Sequence, residues 1–181
     1  KDHIQKKLNK FENKYFYGKE FKVTKSLKNK FEMKVDGKKF LYTQPSLNGK
    51  HQEENASISI YFAKIMKNMG YKLKTKEINA AIKKTVWPGR LEIINYKNKK
   101  IILDGSHNID GADKLYEFLK TKRIKPIILF GMLNNKKASL FLDKIKKRIS
   151  KVLAIKIPDE KNSLQTNQIK EICDLHYIKC E

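Results

Sequence analysis

The sequence predicts an α/β protein whose second half is a mostly parallel sheet flanked by helices. Three observations predict it. After the breaker Trp87-Pro88-Gly89, short apolar runs and amphipathic stretches follow one another in β-α-β-α-β-α order, which favours parallel strands joined by right-handed crossovers. Before the breaker, a hairpin signal and two helical repeats read as the end of another α/β unit. Hydrophobic residues make up 40% of the 181, enough for a core.

The elements follow in order. In Glu20–Thr24, apolar Phe21 and Val23 alternate with polar neighbours as in a strand. Phe31–Val35, then Asp36-Gly37, then Lys38–Thr43 is a hairpin, because Asp-Gly supplies the positive φ values of a tight primed turn. A loop through Gln44–Gly49 leads to a helix over His51–Met69. Its Ile58, Phe62, Ile65, Met66 and Met69 keep a 3–4 spacing expected to face the core, and Gly70 ends it. A second helix spans Thr75–Lys84, with Thr75 as N-cap and Glu77 in the first turn.

Beyond the breaker, Leu91–Tyr96 and Lys100–Leu103 read as paired strands joined by a turn at Lys97-Asn98-Lys99, where Asn98 tolerates a left-handed backbone. Ala112–Lys122 is helical, with Leu115, Phe118 and Leu119 on one face. Pro126–Phe130 is a continuous apolar strand of the kind buried on both sides. A helix over Ala138–Ile149, a strand over Lys151–Ile157 and a helix over Asn167–Leu175 complete the order. In such sheets ligands sit at the carboxyl ends of strands, so the loops after Leu103 and Phe130 are the places to search.

Formal net charge is +22, from 41 Lys and Arg against 19 Asp and Glu. The lysines are spread along the whole chain and no basic block with interleaved aromatics stands apart, so nucleic-acid binding is not the expected role. A positive field that draws in anionic small substrates is. No apolar run approaches the roughly 20 residues that span a membrane, and Lys1–Gln5 lack the apolar segment of a signal peptide. The missing initial Met suggests a start inside a longer protein. Cys173 and Cys180 form neither a disulfide framework nor a paired zinc spacing, which fits a reduced cytoplasmic setting and no metal site in this chain.

Three segments carry chemistry. Ile101–Asn108 delivers an acid, a glycine and a histidine from an apolar strand into one loop before a helix. Asp104 offers two oxygens suited to vicinal hydroxyls, Gly105 lets the backbone turn, and His107 can donate a hydrogen bond or stack on a flat base. The alternative is that Asp104 and Asn108 cap the following helix. In Trp87–Glu92, Arg90 can reach a phosphate with its planar fork, or simply pair with Glu92. In Leu47–Ala56, Asn55 carries a donor and an acceptor that could read an adenine edge, or could bond internally.

Taken together, Leu-x-Gly-x-His-Gln-x-x-Asn-Ala, Trp-Pro-Gly-Arg-Leu-Glu and Asp-Gly-Ser-His-Asn, in this order, resemble the folylpolyglutamate synthase/dihydrofolate synthase branch of the Mur ligase superfamily. Phe130–Lys136 adds a looser match, with Asn135 and Lys137 where the family has two acids, and Lys136 is left without a role. Ser106 and Ile109 stand where the family often has Ala and Pro. The resemblance implies a Rossmann-like C-terminal domain over residues 89–181, shorter at its end than is usual, after the end of a Mur-ligase-type central ATPase domain over residues 1–88. It implies an ATP-driven ligation in which L-glutamate is joined to dihydropteroate or a reduced folate through an acyl phosphate. Asn55 would contact adenine, Asp104 the ribose, His107 the nucleotide nearby, and Arg90 the phosphates with a direct catalytic role. ATP and Mg2+ would be required, the Mg2+ ligands lying upstream.

The Gly-Lys-Ser/Thr phosphate loop of the family is not in this sequence, so the chain is expected to be a fragment that is inactive alone. A monomer without membrane contact is expected. Two other readings stay open: a peptidoglycan-precursor or cyanophycin ligase of the same superfamily, disfavoured by His51-Gln52 and Asp104-Gly105, and a basic nucleic-acid-binding module.

Overall fold

The computed structural model describes residue 7, residues 10–123 and residues 125–181; the opening Lys1–Gln5 lie outside the described residues. The chain divides into two compact units, 1–86 and 87–181.

In the first unit, β1 (Phe21–Ser26), β2 (Lys30–Val35) and β3 (Lys38–Thr43) form an antiparallel sheet in that order. The Asp36-Gly37 turn has φ of 45° and 84°, the positive pair that the dipeptide predicts. It sets the register Val35↔Lys38 through Lys30↔Thr43. Alternation then turns Phe31, Met33 and Val35 of the central strand to one buried face. Helices α1 (His51–Asn68) and α2 (Thr75–Lys84) contribute Ile60, Tyr61 and Ile82 to the same core, with the Phe21 and Tyr61 rings stacked at 4.4 Å.

Helix α1 and the start of α2 differ from expectation. The α1 face that packs inward carries Ser57, Ile60 and Tyr61, whereas Ile58, Phe62 and Met69 are 53%, 61% and 68% exposed. Helix α1 has two apolar stripes, and small Ala56 and Ser57 lie beside the inward one. The N-cap of α2 is Lys74 rather than Thr75, and the Glu77 carboxylate accepts its backbone N–H at 2.9 Å.

In the second unit, β4 (Glu92–Tyr96) and β5 (Lys99–Leu103) form an antiparallel hairpin. Lys97 and Asn98 both take positive φ, so the turn has two residues and Lys99 already pairs with Tyr96. Helix α3 (Ile109–Lys120) begins three residues earlier than expected, because Asn108 caps it. The parallel pairing is between β6 (Ile127–Phe130) and β7 (Lys151–Ala154), extended by a parallel bridge from Val152 to Cys180. Between them, α4 (Ala138–Ile145) ends in a 3-10 turn at Lys146–Arg148, and α5 (Thr166–Leu175) follows β7.

Leu115, Phe118 and Leu119 of α3 meet Phe141, Leu142 and Ile145 of α4 in the core, with Phe130, Val152 and Ile169. Strand β6 is not buried on both sides. Phe130 is buried, but Ile127 and Leu129 are 57% and 64% exposed, so alternation along the strand turns them to an uncovered face. Gly131 ends β6 where a Cβ would lie 3.0 Å from Ile157 Cγ1 and 3.1 Å from Ile155 O, so only a glycine fits without a shift.

Candidate active site

The β4–β5 hairpin builds the site. With a two-residue turn, each residue before Lys97 faces the one equally far beyond Asn98, so Glu92 pairs with Leu103 at the open end. The segments just outside that pair, Trp87–Leu91 and Asp104–Asn108, are thereby brought side by side. Gly105 N–H donates to Gly89 O at 2.8 Å, and Leu91 N–H donates to Asp104 Oδ2 at 3.0 Å. Two of the three sequence motifs thus meet in one structured end.

Asp104 is half-buried and does not cap α3. Its Oδ1 accepts the Ser106 backbone N–H at 3.1 Å while Oδ2 holds Leu91. A carboxylate offers about four lone-pair sites, so about two are left for further donors. Asn108 is the cap: its Oδ1 accepts Gly111 N–H at 2.8 Å. His107 is exposed, and its Nδ1 bonds Gly105 O at 2.9 Å. A carbonyl only accepts, so Nδ1 carries the proton, and in the neutral ring Nε2 is an acceptor.

Arg90 is exposed, with its guanidinium 5.8 Å from the Trp87 ring centroid. The expected alternative, pairing with Glu92, is not what Glu92 does: its carboxylate accepts the Gly89 N–H at 2.9 Å. Among the described residues no carboxylate pairs with Arg90, which leaves its fork available to an anion. Gly89 and Leu91 flank it with φ of 71° and 47°. Asn55 belongs to the first unit, exposed in the second turn of α1, and its Nδ2 donates to Gln52 Oε1 at 2.9 Å. Among the described residues no group of three or more His, Cys, Asp or Glu side chains could hold a metal ion.

One site residue escaped the sequence reading. Gly111 lies in the first turn of α3, and a Cβ there would stand 2.8 Å from Ser106 Cβ and 3.1 Å from Asn108 Oδ1. Its signal was a glycine where a helix was about to begin, which marks close backbone approach. Gly111→Ala is expected to push the Ser106 loop outward. The clash should outweigh the helix propensity that alanine gains, up to about 1 kcal/mol, so the variant is expected to melt lower. A thermal melt checks this; an unchanged or raised midpoint would count against the close fit.

Residues 89–179 match the domain described as "Mur ligase, glutamate ligase domain", so the chain belongs to the Mur ligase family. Within it the chain falls in the folylpolyglutamate synthase/dihydrofolate synthase branch. It is 33% identical over 94 residues to the dihydrofolate synthase/folylpolyglutamate synthase of Bacillus subtilis, covering 51% of this chain and 21% of that protein. The folylpolyglutamate synthase structure from Thermotoga maritima is 26% identical with a TM-score of 0.75, over 99% of this chain and 43% of that one. A Mycobacterium tuberculosis folylpolyglutamate synthase complexed with ADP and AMPPCP has the same fold, at TM-score 0.75 and 18% identity, over 91% of this chain and 39% of that one. The chain thus spans between about a fifth and two fifths of the length of these proteins.

Proposed function

We propose that the full-length protein carrying this chain is a cytoplasmic, monomeric, ATP-dependent ligase. It joins L-glutamate to dihydropteroate, to a reduced folate, or to both. Residues 1–88 are read as the end of its central ATP-binding domain and residues 89–181 as its C-terminal domain. The observation that carries this reading is the latch between Leu91 and Asp104, which ties the turn that carries Arg90, a residue with no carboxylate partner among the described residues, to a carboxylate with acceptor capacity to spare. Membership of the family supports it, as does the nucleotide found with the Mycobacterium tuberculosis relative.

The γ-phosphoryl group of ATP passes to the pteroate or folate carboxylate, leaving ADP and an acyl phosphate; the glutamate amine then attacks the acyl carbon, forms the amide and expels inorganic phosphate with loss of the amine proton. The residues of this chain bind and align. Asp104 accepts the ribose hydroxyls through the lone pairs its two backbone donors leave. His107, held by Gly105 O, offers Nε2 to the nucleotide nearby. Arg90 spreads its donor fork over the phosphates, where charge stabilisation and alignment supply most of the catalysis. Asn55 reads the adenine edge. The Mg2+ ligands and the phosphate loop belong to the part of the protein upstream. No helix among the described residues is long and apolar enough to cross a membrane.

The test is ADP release by the full-length protein with ATP, Mg2+ and dihydropteroate or tetrahydrofolate. Release that depends on added glutamate is expected. Release indifferent to glutamate with every pteroate and folate acceptor would refute the assignment, and tight, steeply salt-dependent RNA or DNA binding would favour the nucleic-acid module instead.

A further inference from the structure

We infer that Glu53 is a positioning residue that holds the first turn of α1 so that the Asn55 amide can read the nucleotide base. The inference rests on the nucleotide role proposed for Asn55. Glu53 is only 5% exposed, an unusual place for a carboxylate. Its Oε1 accepts from the Ser26 hydroxyl at the end of β1 and from Gln44 Nε2, 2.7 Å away just past β3. Gln44 Nε2 also lies 3.0 and 2.9 Å from Leu27 O and Lys30 O, so its two hydrogens are shared among three acceptors, and its backbone N–H donates to Asn29 O at 3.1 Å. One side chain therefore ties the β1–β2 turn and the exit of β3 to the start of α1.

Packing alone does not call for an acid here. Ile60 and Tyr61, two turns further on, already seat α1 on the sheet, and an apolar side chain of similar volume would avoid the cost of desolvating a carboxylate. That cost is visible in Glu53 Oε2, which is buried without a hydrogen-bond partner among the described residues. What the carboxylate adds is direction. Its two hydrogen bonds fix the rotation of the first turn, and the positive end of the helix favours the charge there. Asn55 sits two residues on, tied through Nδ2 to Gln52, which is itself 6% exposed. Rotation of this turn would carry the Asn55 amide with it.

A double-mutant cycle in the full-length protein tests the link. Glu53→Ala should raise the KM for ATP about tenfold and leave the KM for glutamate within about twofold. Glu53→Gln, which keeps an acceptor oxygen, should recover most of the loss. Glu53→Ala added to Asn55→Ala should cost little more than Asn55→Ala alone, because both remove one interaction. Should Glu53→Ala not fold, Ser26→Ala, which removes one donor to the carboxylate, enters the same cycle. Effects that multiply, or a uniform loss across both substrates, would overturn the positioning role while leaving the Asn55 reading intact. An Asn55→Ala enzyme with unchanged KM for ATP would overturn both.

Discussion

Asp104→Ala is expected to abolish glutamate-dependent ADP release in the full-length enzyme. The side chain does two jobs at one point. As a ligand it would present acceptor sites to ribose; as a latch it receives Leu91 N–H and Ser106 N–H. Alanine removes both functions and withdraws the carboxylate from the Leu91 and Ser106 N–H groups, at about 1–3 kcal/mol for each that finds no other acceptor. The Arg90 turn then loses the Leu91 tie to the loop and keeps the one from Gly105 N–H to Gly89 O. Loss of turnover by two orders of magnitude or more, about 3 kcal/mol, is the expected scale. A melt of the same variant separates the effects: lost stability without lost nucleotide affinity would reduce Asp104 to the latch alone.

Arg90→Ala should be comparably severe but should leave the fold untouched. Arg90 is exposed, pairs with no carboxylate among the described residues and lies 5.8 Å from the Trp87 ring centroid, so little stability depends on it. An exposed cation–π contact is worth about 0.5–1 kcal/mol. In the proposed reaction, by contrast, removing one preorganised donor at the transferred phosphoryl costs about 10²–10³ in kcat. Arg90→Lys keeps the charge and loses the planar fork, so it should restore only part of the rate. Full activity of Arg90→Ala would remove it from the catalytic assignment.

The hairpins were the most legible part of the sequence because turn chemistry sets register. Asp36-Gly37 takes the positive φ pair its dipeptide predicts, and pairing follows by counting outward. The expected turn Lys97-Asn98-Lys99 is one residue shorter, because Lys97 as well as Asn98 takes positive φ and Lys99 pairs with Tyr96. Counted from the observed two-residue turn, Leu91 falls opposite Asp104, and the two motifs meet there. Faces were harder. Helix α1 has apolar residues on two sides, and a 3–4 spacing cannot say which side meets the sheet. The run Ile127–Phe130 reads as buried all round, yet alternation sends Ile127 and Leu129 to the uncovered face. Side-chain partners were the least legible. Glu92 turns to the Gly89 N–H, and Gly111 abuts Ser106, through contacts set by the approach of separate loops.

Leu91 shows where the shape of the arginine turn comes from. It holds φ of 47°, a conformation costing a residue with a Cβ about 1–2 kcal/mol, while its side chain is 97% buried (3% exposed) in the core. The fold, and not the local sequence, therefore dictates the path of the backbone past Arg90. A grafted copy of residues 87–92 carries the letters of the motif without its geometry. In an isolated peptide of that segment, backbone couplings at Leu91 are expected to report negative φ, and the arginine loses its preset direction.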